Sequence, residues 1–193
     1  MYDYLSGKLI FKGPTHVVLD VGGIGYHLVI SLNTFEQIKA DEHCKLFVSL
    51  QVREDSHTLY GFFEEGERRL FLHLLSVSGI GANTARMILS SITPTEIQNA
   101  IIQGDVGLIQ RIKGIGPKTA QRMILELQDK LKKEGPDTLI SVPRNQTVLD
   151  EALSALVMLG FVKAKAEKVL QNIYQNDNSV SVENLIKQAL KKL

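Results

Sequence analysis

Over the first 63 residues the apolar positions fall on alternate sites, and from Glu64 onward they recur every three or four. The early part holds five runs of β-formers punctuated by glycine: "LSGKLIF", "HVVLDV", "GYHLVIS", "KLFVSLQVR" and "HTLYGFF". Each has the length and period of a strand. In the fourth, Leu46, Val48, Leu50 and Val52 alternate with Lys45, Phe47, Ser49, Gln51 and Arg53, which predicts one buried face made by the first set. "NTFEQIKA" between the third and fourth strands reads as a short helix with Asn33 as its N-cap. Five strands with a helix in that place predict a closed Greek-key barrel of the OB type over residues 1–63.

Helical periodicity then takes over, with Leu70, Leu74 and Val77 on one stripe and Phe71 beside it. Thr93, Pro94 and Glu96 make a capping box with proline at the first helical position; Gly104 closes that helix and Asp105 caps the next. A long helix starts near Pro117 and runs into "DKLKKEGP", where lysines suit the negative end of the dipole and Gly135 and Pro136 stop it. Residues 64–134 thus form a helical domain. Residues 135–146, "GPDTLISVPRNQ", lack a period and read as a linker with a flexible middle. Residues 147–193 predict three short helices, Val148 to Leu159, Lys163 to Tyr174 and Val182 to Leu193, jointed at Gly160 and "NDNS". A unit of that size buries only a small core, so part of its apolar surface is free for a partner. The fold class is α+β and multidomain: barrel, helical domain, three-helix bundle.

A repeat lies inside the helical part. "SVSGIGANTAR" at 76–86 returns as "RIKGIGPKTAQ" at 111–121, so Gly79 and Gly114 stand 35 residues apart. A helix start leaves four backbone N–H groups unpaired and carries about half a positive charge, which suits a phosphate. Gly114 and Gly116 can take backbone angles closed to other residues, Ile115 can lock the turn against the preceding helix, and Lys118 and Thr119 add a cation and a hydroxyl. The first copy supplies Gly79, Ile80, Gly81 and Thr84. Such a site reads the phosphate backbone without reading bases. One Gly-x-Gly between helices also serves as a plain cap and turn; two copies, each running into a helix, favour nucleic acid. "GPKT" lacks the adjacent Gly-Lys and preceding strand of a P-loop, and "GGIG" at 22–25 lacks the third glycine of a dinucleotide fingerprint.

Charge changes the picture once it is divided along the chain. The net charge is +1, yet residues 1–75 carry 7 Lys/Arg against 10 Asp/Glu, residues 76–133 carry 8 against 4, and residues 134–193 carry 7 against 7. The positive charge sits with the repeated turn. A single cysteine, Cys44, excludes an intrachain disulfide and reads as a buried bystander. No metal site and no cofactor are expected. No apolar run reaches the ~18 residues of a membrane span, and Asp3 argues against a signal peptide, so the expected location is the cytoplasm.

In order along the chain, "YLSGKL", "VREDSHTLYGF", "SGIGANTA", "KGIGPKTAQRMILEL" and "ALVMLGF" resemble the RuvA family, the Holliday-junction-binding subunits of the bacterial branch-migration complex. The repeated turns then correspond to two helix-hairpin-helix motifs. The resemblance implies an OB-like barrel, a tandem-hairpin domain and a mobile UBA-like three-helix domain on a flexible linker. It also implies a homotetramer, with an octamer on DNA as the alternative, holding a four-way junction open and square for recombination and repair in the SOS response. DNA would be gripped through Gly79, Ile80, Gly81, Asn83, Thr84, Gly114, Ile115, Gly116, Lys118, Thr119 and Arg122, and an acidic pin falls on Glu54 and Asp55. The RuvB hexameric ATPase would dock on Leu156, Leu159, Phe161 and Leu190, with the RuvC resolvase in the wider complex, and this chain would be non-catalytic. Many family members carry lysine where this chain has Asn83, so the first hairpin would lean on Arg86 or on backbone amides, and the second would carry more of the affinity.

Two other readings of the residues stay open. One is a general duplex-binding module without junction preference. The other is an adaptor whose C-terminal bundle binds a peptide while the turns are only structural. Phosphate-driven binding falls steeply with salt, and an apolar peptide contact does not. Arg122 also stands four residues before Glu126, the spacing of an ion pair on a helix surface.

Overall fold

The computed structural model describes residues 2–39, 43–134, 148–176 and 181–192. They belong to two compact units, Met1–Ser141 and Val142–Leu193. The predicted linker at 135–146 and residues 177–179 of the "NDNS" joint lie outside the described residues.

Strands β1 (Tyr4–Lys12), β2 (His16–Val21), β3 (Ile24–Ile30), β4 (His43–Val52) and β5 (His57–Phe62) form a closed barrel in the order β1-β2-β3-β5-β4, with helix α1 (Leu32–Gln37) between β3 and β4. Pairing is antiparallel except for β3 with β5. Closure works because β1 pairs with both neighbours: Lys8 stands opposite Asp20 on one side and His43 on the other. Leu5, Val17, Leu19, Leu28, Ile30, Leu46 and Val48 fill the interior. Cys44 lies on the same inner wall, and burial pushes its thiol up from the ordinary value.

Two expectations for this barrel are corrected. The alternation in β4 holds only to Val48: Ser49 is buried, Leu50 is half-buried and Val52 is 63% exposed. Pairing with β1 ends at Tyr4–Phe47, Val48 N–H still reaches the Asp3 carbonyl at 2.9 Å, and β5 pairs with β3 only from Leu59 on, so Gln51 and Val52 with Thr58 and His57 form a two-stranded ribbon with no barrel interior to face. The cap of α1 is Ser31, whose hydroxyl accepts the Thr34 N–H at 3.0 Å. Asn33 sits one position inside the helix, where its amide donates to the carbonyls of Leu89 and, at 3.1 Å, Ile92.

Helices α2 (Glu65–Leu75), α3 (Ala82–Ser91), α4 (Pro94–Gln103), α5 (Val106–Gln110) and α6 (Pro117–Glu134) follow. The predicted stripe of Leu70, Phe71, Leu74 and Val77 is buried. The capping box of α4 is complete: Thr93 Oγ1 accepts the Glu96 N–H at 3.3 Å, and the Glu96 carboxylate accepts the Thr93 N–H at 2.9 Å. The backbone N–H of Thr93 and then its hydroxyl hold the Glu96 carboxyl below the usual range. Gly104, at φ 75°, ends α4, and Asp105 caps α5 by accepting the Leu108 N–H at 2.9 Å.

Barrel and helices share one compact unit but keep separate cores, and the helical core reaches back across residues 63–64 into β5. Tyr60 and Phe62 of β5 belong to the helical core, with ring centroids 5.1 and 4.9 Å from Phe71. Beside them Glu67 of α2 is 1% exposed and accepts hydrogen bonds from both Ser31 Oγ and Thr34 Oγ1, the latter at 2.6 Å. The two hydroxyls in turn accept N–H bonds from Thr34 at 3.0 Å and Phe63 at 3.1 Å. Every donor therefore points toward the carboxylate. Arg68 adds a bond to the Asp3 carbonyl at 2.8 Å and an ion pair with its carboxylate at 2.5 Å.

In the second unit, α7 (Val148–Met158), α8 (Lys163–Asn176) and α9 (Val182–Leu190) surround Ala152, Leu156, Ala166, Leu170, Ile173, Leu185 and Ala189. α7 stops one residue before the predicted Leu159, because Phe161 N–H bonds back to the Leu156 carbonyl at 3.1 Å around Gly160, at φ 95°. α9 ends at Leu190 and not at Leu193, which lies outside the described residues.

Burial raises the Glu67 carboxyl above its ordinary 4.5, and the Ser31 and Thr34 hydroxyls pull it back only in part. The folded chain then holds this proton more tightly than the unfolded chain, so the stability that Glu67 contributes is fullest below 4.5 and declines as pH rises through the raised value. Glu67→Gln keeps one acceptor and one donor, as the protonated carboxyl has, but does not titrate. Urea unfolding should show the parent losing stability relative to Glu67→Gln as pH rises above 4.5; a parent that gains on the variant contradicts the assignment.

Candidate nucleic-acid interface

The repeated turns have the same geometry. Gly79 and Gly114 have φ of 93° and 92°, in the left-handed region that side chains avoid. Ile80 N–H bonds to the Val77 carbonyl and Ile115 N–H to the Ile112 carbonyl, both at 3.1 Å. α3 and α6 open with the matching bonds Ala85 N–H to Gly81 and Ala120 N–H to Gly116, at 2.9 and 3.0 Å. Ile80 and Ile115 are buried in the helical core, so they lock the turns and face away from solvent.

The second glycine of each pair is not there for its backbone angle, which corrects the expectation for Gly116. Gly81 is extended at φ −90° and ψ 170°, and Gly116 is absent from the positive-φ glycines. A Cβ at Gly116 would meet nothing within 4 Å, and at Gly81 only the Arg53 guanidinium, Nη2 at 4.0 Å. Neither position needs glycine for packing. What the missing side chain gives is bare backbone at a helix start, where an anion can approach the N–H groups. Helices α1, α4, α5 and α9 have side-chain caps, whereas α2 and α3 have none, and the first N–H groups of α3 stay open.

Asn83 and Lys118 are the second residues of their helices and both are exposed; Thr84 and Thr119 follow, half-buried. Arg122, one turn further along α6, donates to Ser78 Oγ at 3.2 Å and so ties the second motif to the loop of the first. Its ion pair with Glu126 is not formed among the described residues. Arg86 does not serve the first turn: its Nη1 donates to the Ile30 carbonyl at 3.4 Å, and its Nε is buried without a partner.

The β4–β5 ribbon ends in the tip Arg53–Ser56, closed by Arg53 N–H to the Ser56 carbonyl at 2.8 Å. Glu54 and Asp55 are exposed on it, and Ser56 Oγ donates to Asp55 Oδ1 at 3.2 Å. The Arg53 guanidinium, 4.0 Å from where a Cβ on Gly81 would lie, puts this tip beside the first turn. Sequence reasoning passed over Arg53 and Ser78, because nothing local marks either; each reaches the site only through the packing of barrel on helices.

In the second unit Leu156, an expected docking residue, is fully buried in the small core. Phe161 is half-buried against that core, while Leu159 and Leu190 are exposed. Val157, Met158 at 89% exposure and Val162 extend the exposed apolar surface and were not anticipated. The signal was present in "ALVMLGF", since consecutive apolar residues on a helix cannot all face one core. Among the described residues there is no group of three or more His, Cys, Asp or Glu able to hold a metal, and no helix is long and apolar enough to cross a membrane.

Three family profiles match in order: "RuvA N terminal domain" over residues 1–61, "SAM-like Helix-hairpin-helix tandem" over 71–129 and "RuvA, C-terminal domain" over 147–193. A protein of Flavobacterium psychrophilum named "Holliday junction branch migration complex subunit RuvA" is 51% identical over 193 residues, covering 100% of both chains. The chain belongs to the RuvA family. RuvA proteins of Cytophaga hutchinsonii, 52% identical with 99% of each chain covered, and Bacteroides thetaiotaomicron, 43% identical with 100% of each covered, carry the same name. The three profiles in order cover the OB-type barrel, the tandem hairpins and the C-terminal helices, which is the fold class read from the sequence.

The glycines of this RuvA-family chain divide into two kinds with separable effects. Gly114→Ala forces a left-handed angle on alanine and should destabilise by about 1–2 kcal/mol, seen as a lower melting temperature. Gly116→Ala should leave melting unchanged and weaken binding to duplex DNA. Equal melting shifts for both would contradict the division.

Proposed function

We propose that this chain binds four-way DNA junctions as the non-catalytic DNA-binding subunit of a branch-migration complex. The observation that carries the reading is the pair of matched turns, each opening a helix on bare backbone, in the only segment with a clear excess of Lys and Arg. Gly79, Gly81 and Thr84 at one turn and Gly114, Gly116, Lys118 and Thr119 at the other would hold phosphates, with Ile80 and Ile115 setting the turns from within. Arg122 would position the pair through Ser78. Backbone contacts of this kind carry little base specificity.

Glu54 and Asp55 act by repulsion. A carboxylate ~4 Å from a phosphate costs about 1 kcal/mol in water and more where solvent is excluded. Four copies arranged around one junction would bring two such carboxylates each to the centre, disfavouring continuous duplex there and favouring separated strands. The relatives' names describe subunits of a branch migration complex. The partners of this chain are then the RuvB ATPase, which drives the arms through, and the RuvC resolvase, in the cytoplasm. The exposed apolar surface around Met158, Leu159, Val162 and Leu190 suits the RuvB contact.

Binding to an immobile four-way junction and to linear duplex built from the same arms tests the reading. Strong preference for the junction, reduced in Glu54→Gln/Asp55→Asn, is expected; equal binding to both DNAs demotes the chain to a general duplex clamp. Within the junction experiment, Lys118→Ala should weaken binding more than Asn83→Ala, since only the former removes a charge. Equal losses would contradict the unequal hairpins.

A further inference from the structure

The two phosphate seats match in backbone and differ in charge. At the second helical position one has Lys118 and the other Asn83, which is neutral. Arg86, the cation nearest in sequence to the first turn, is committed to the Ile30 carbonyl on the barrel. Yet a cation does stand at the first turn. Arg53 of the ribbon tip brings Nη2 within 4.0 Å of where a Cβ on Gly81 would lie, beside the open start of α3. Its side chain is exposed, and among the described residues only its backbone N–H is engaged, to the Ser56 carbonyl at 2.8 Å. The carboxylates of Glu54 and Asp55 follow on the same tip, and neither forms an ion pair with Arg53 among the described residues.

We infer that the first seat is composite: Arg53, delivered by the barrel, supplies the cation that Asn83 does not, so one phosphate is held between the N-terminus of α3 and the guanidinium of the ribbon tip. The inference rests on the reading of the paired turns as phosphate seats and adds a residue to it. A guanidinium suits the place, because its planar fork can bond two phosphate oxygens while the backbone N–H groups take a third. The tip then has two opposed parts. Glu54 and Asp55 repel phosphates at their end, and Arg53 holds one at the neighbouring turn, which registers the DNA arm against the pin.

The test is a set of salt titrations on an immobile junction and on linear duplex of the same arms, with Arg53→Gln, Arg53→Ala, Lys118→Ala and Arg53→Ala/Asn83→Lys. Loss of one charged phosphate contact in each engaged subunit should weaken binding about tenfold per contact and lower the slope of log affinity against log salt by about 0.9 per contact. Both Arg53 variants should show this on junction and duplex alike, and Asn83→Lys should restore affinity and slope in the Arg53→Ala background. Thermal melting of each variant confirms that the exposed substitution leaves the fold intact. If Arg53 variants bind with unchanged affinity and slope while Lys118→Ala weakens binding, the composite seat is wrong and the paired-turn reading stands. A loss confined to the junction and not rescued by Asn83→Lys assigns Arg53 to the pin and also overturns the composite seat. If neither Arg53→Ala nor Lys118→Ala changes binding, both readings fall.

Discussion

A carboxyl group with almost no exposure, Glu67, holds the barrel to the helices, and the spacing of the ribbon tip from the paired turns depends on that joint. Burial of an ionisable group is costly unless its hydrogen bonds are complete. Here two hydroxyls from the barrel side supply them, each backed by a main-chain N–H. Tyr60 and Phe62 continue the same joint as apolar packing on Phe71, and Asn33 fastens α1 to the end of α3. A pin on the barrel and two turns on the helices can act on one DNA only if their separation is fixed. A directed polar network among packed rings gives that fixity, where apolar packing alone tolerates sliding.

The turns themselves show a division of labour among small residues. The first glycine of each carries the left-handed angle, the isoleucine fills the core, and the second glycine keeps the helix start bare. Only the last of these is unexplained by folding, which is why it points outward to a ligand. Arg122 reaching Ser78 makes the two seats one surface. Duplicated seats on a rigid frame bind two phosphates at a set spacing, so the frame measures backbone geometry and leaves the bases unread.

Much of this was legible in the sequence, because local chemistry fixes it. Alternation located the five strands, Thr93, Gly104 and Asp105 marked helix ends, and the 35-residue offset from Gly79 to Gly114 exposed the repeat. The misses share one cause. Ser31 against Asn33 as a cap, Val52 as exposed, Arg86 as turned to the barrel and Arg53 as a neighbour of Gly81 are all decided by which element packs on which. Leu156 was a docking candidate by resemblance, and only the packing of α8 and α9 on α7 reveals that it belongs to the small core.

The central claim is that this chain grips DNA through its phosphates at paired helix starts and does not read bases. Affinity for immobile junctions with unrelated arm sequences, titrated across salt, tests it most directly. The expected result is a steep linear fall of log affinity with log salt, on one common line for all sequences. A shallow slope, or lines that separate by sequence, would contradict it.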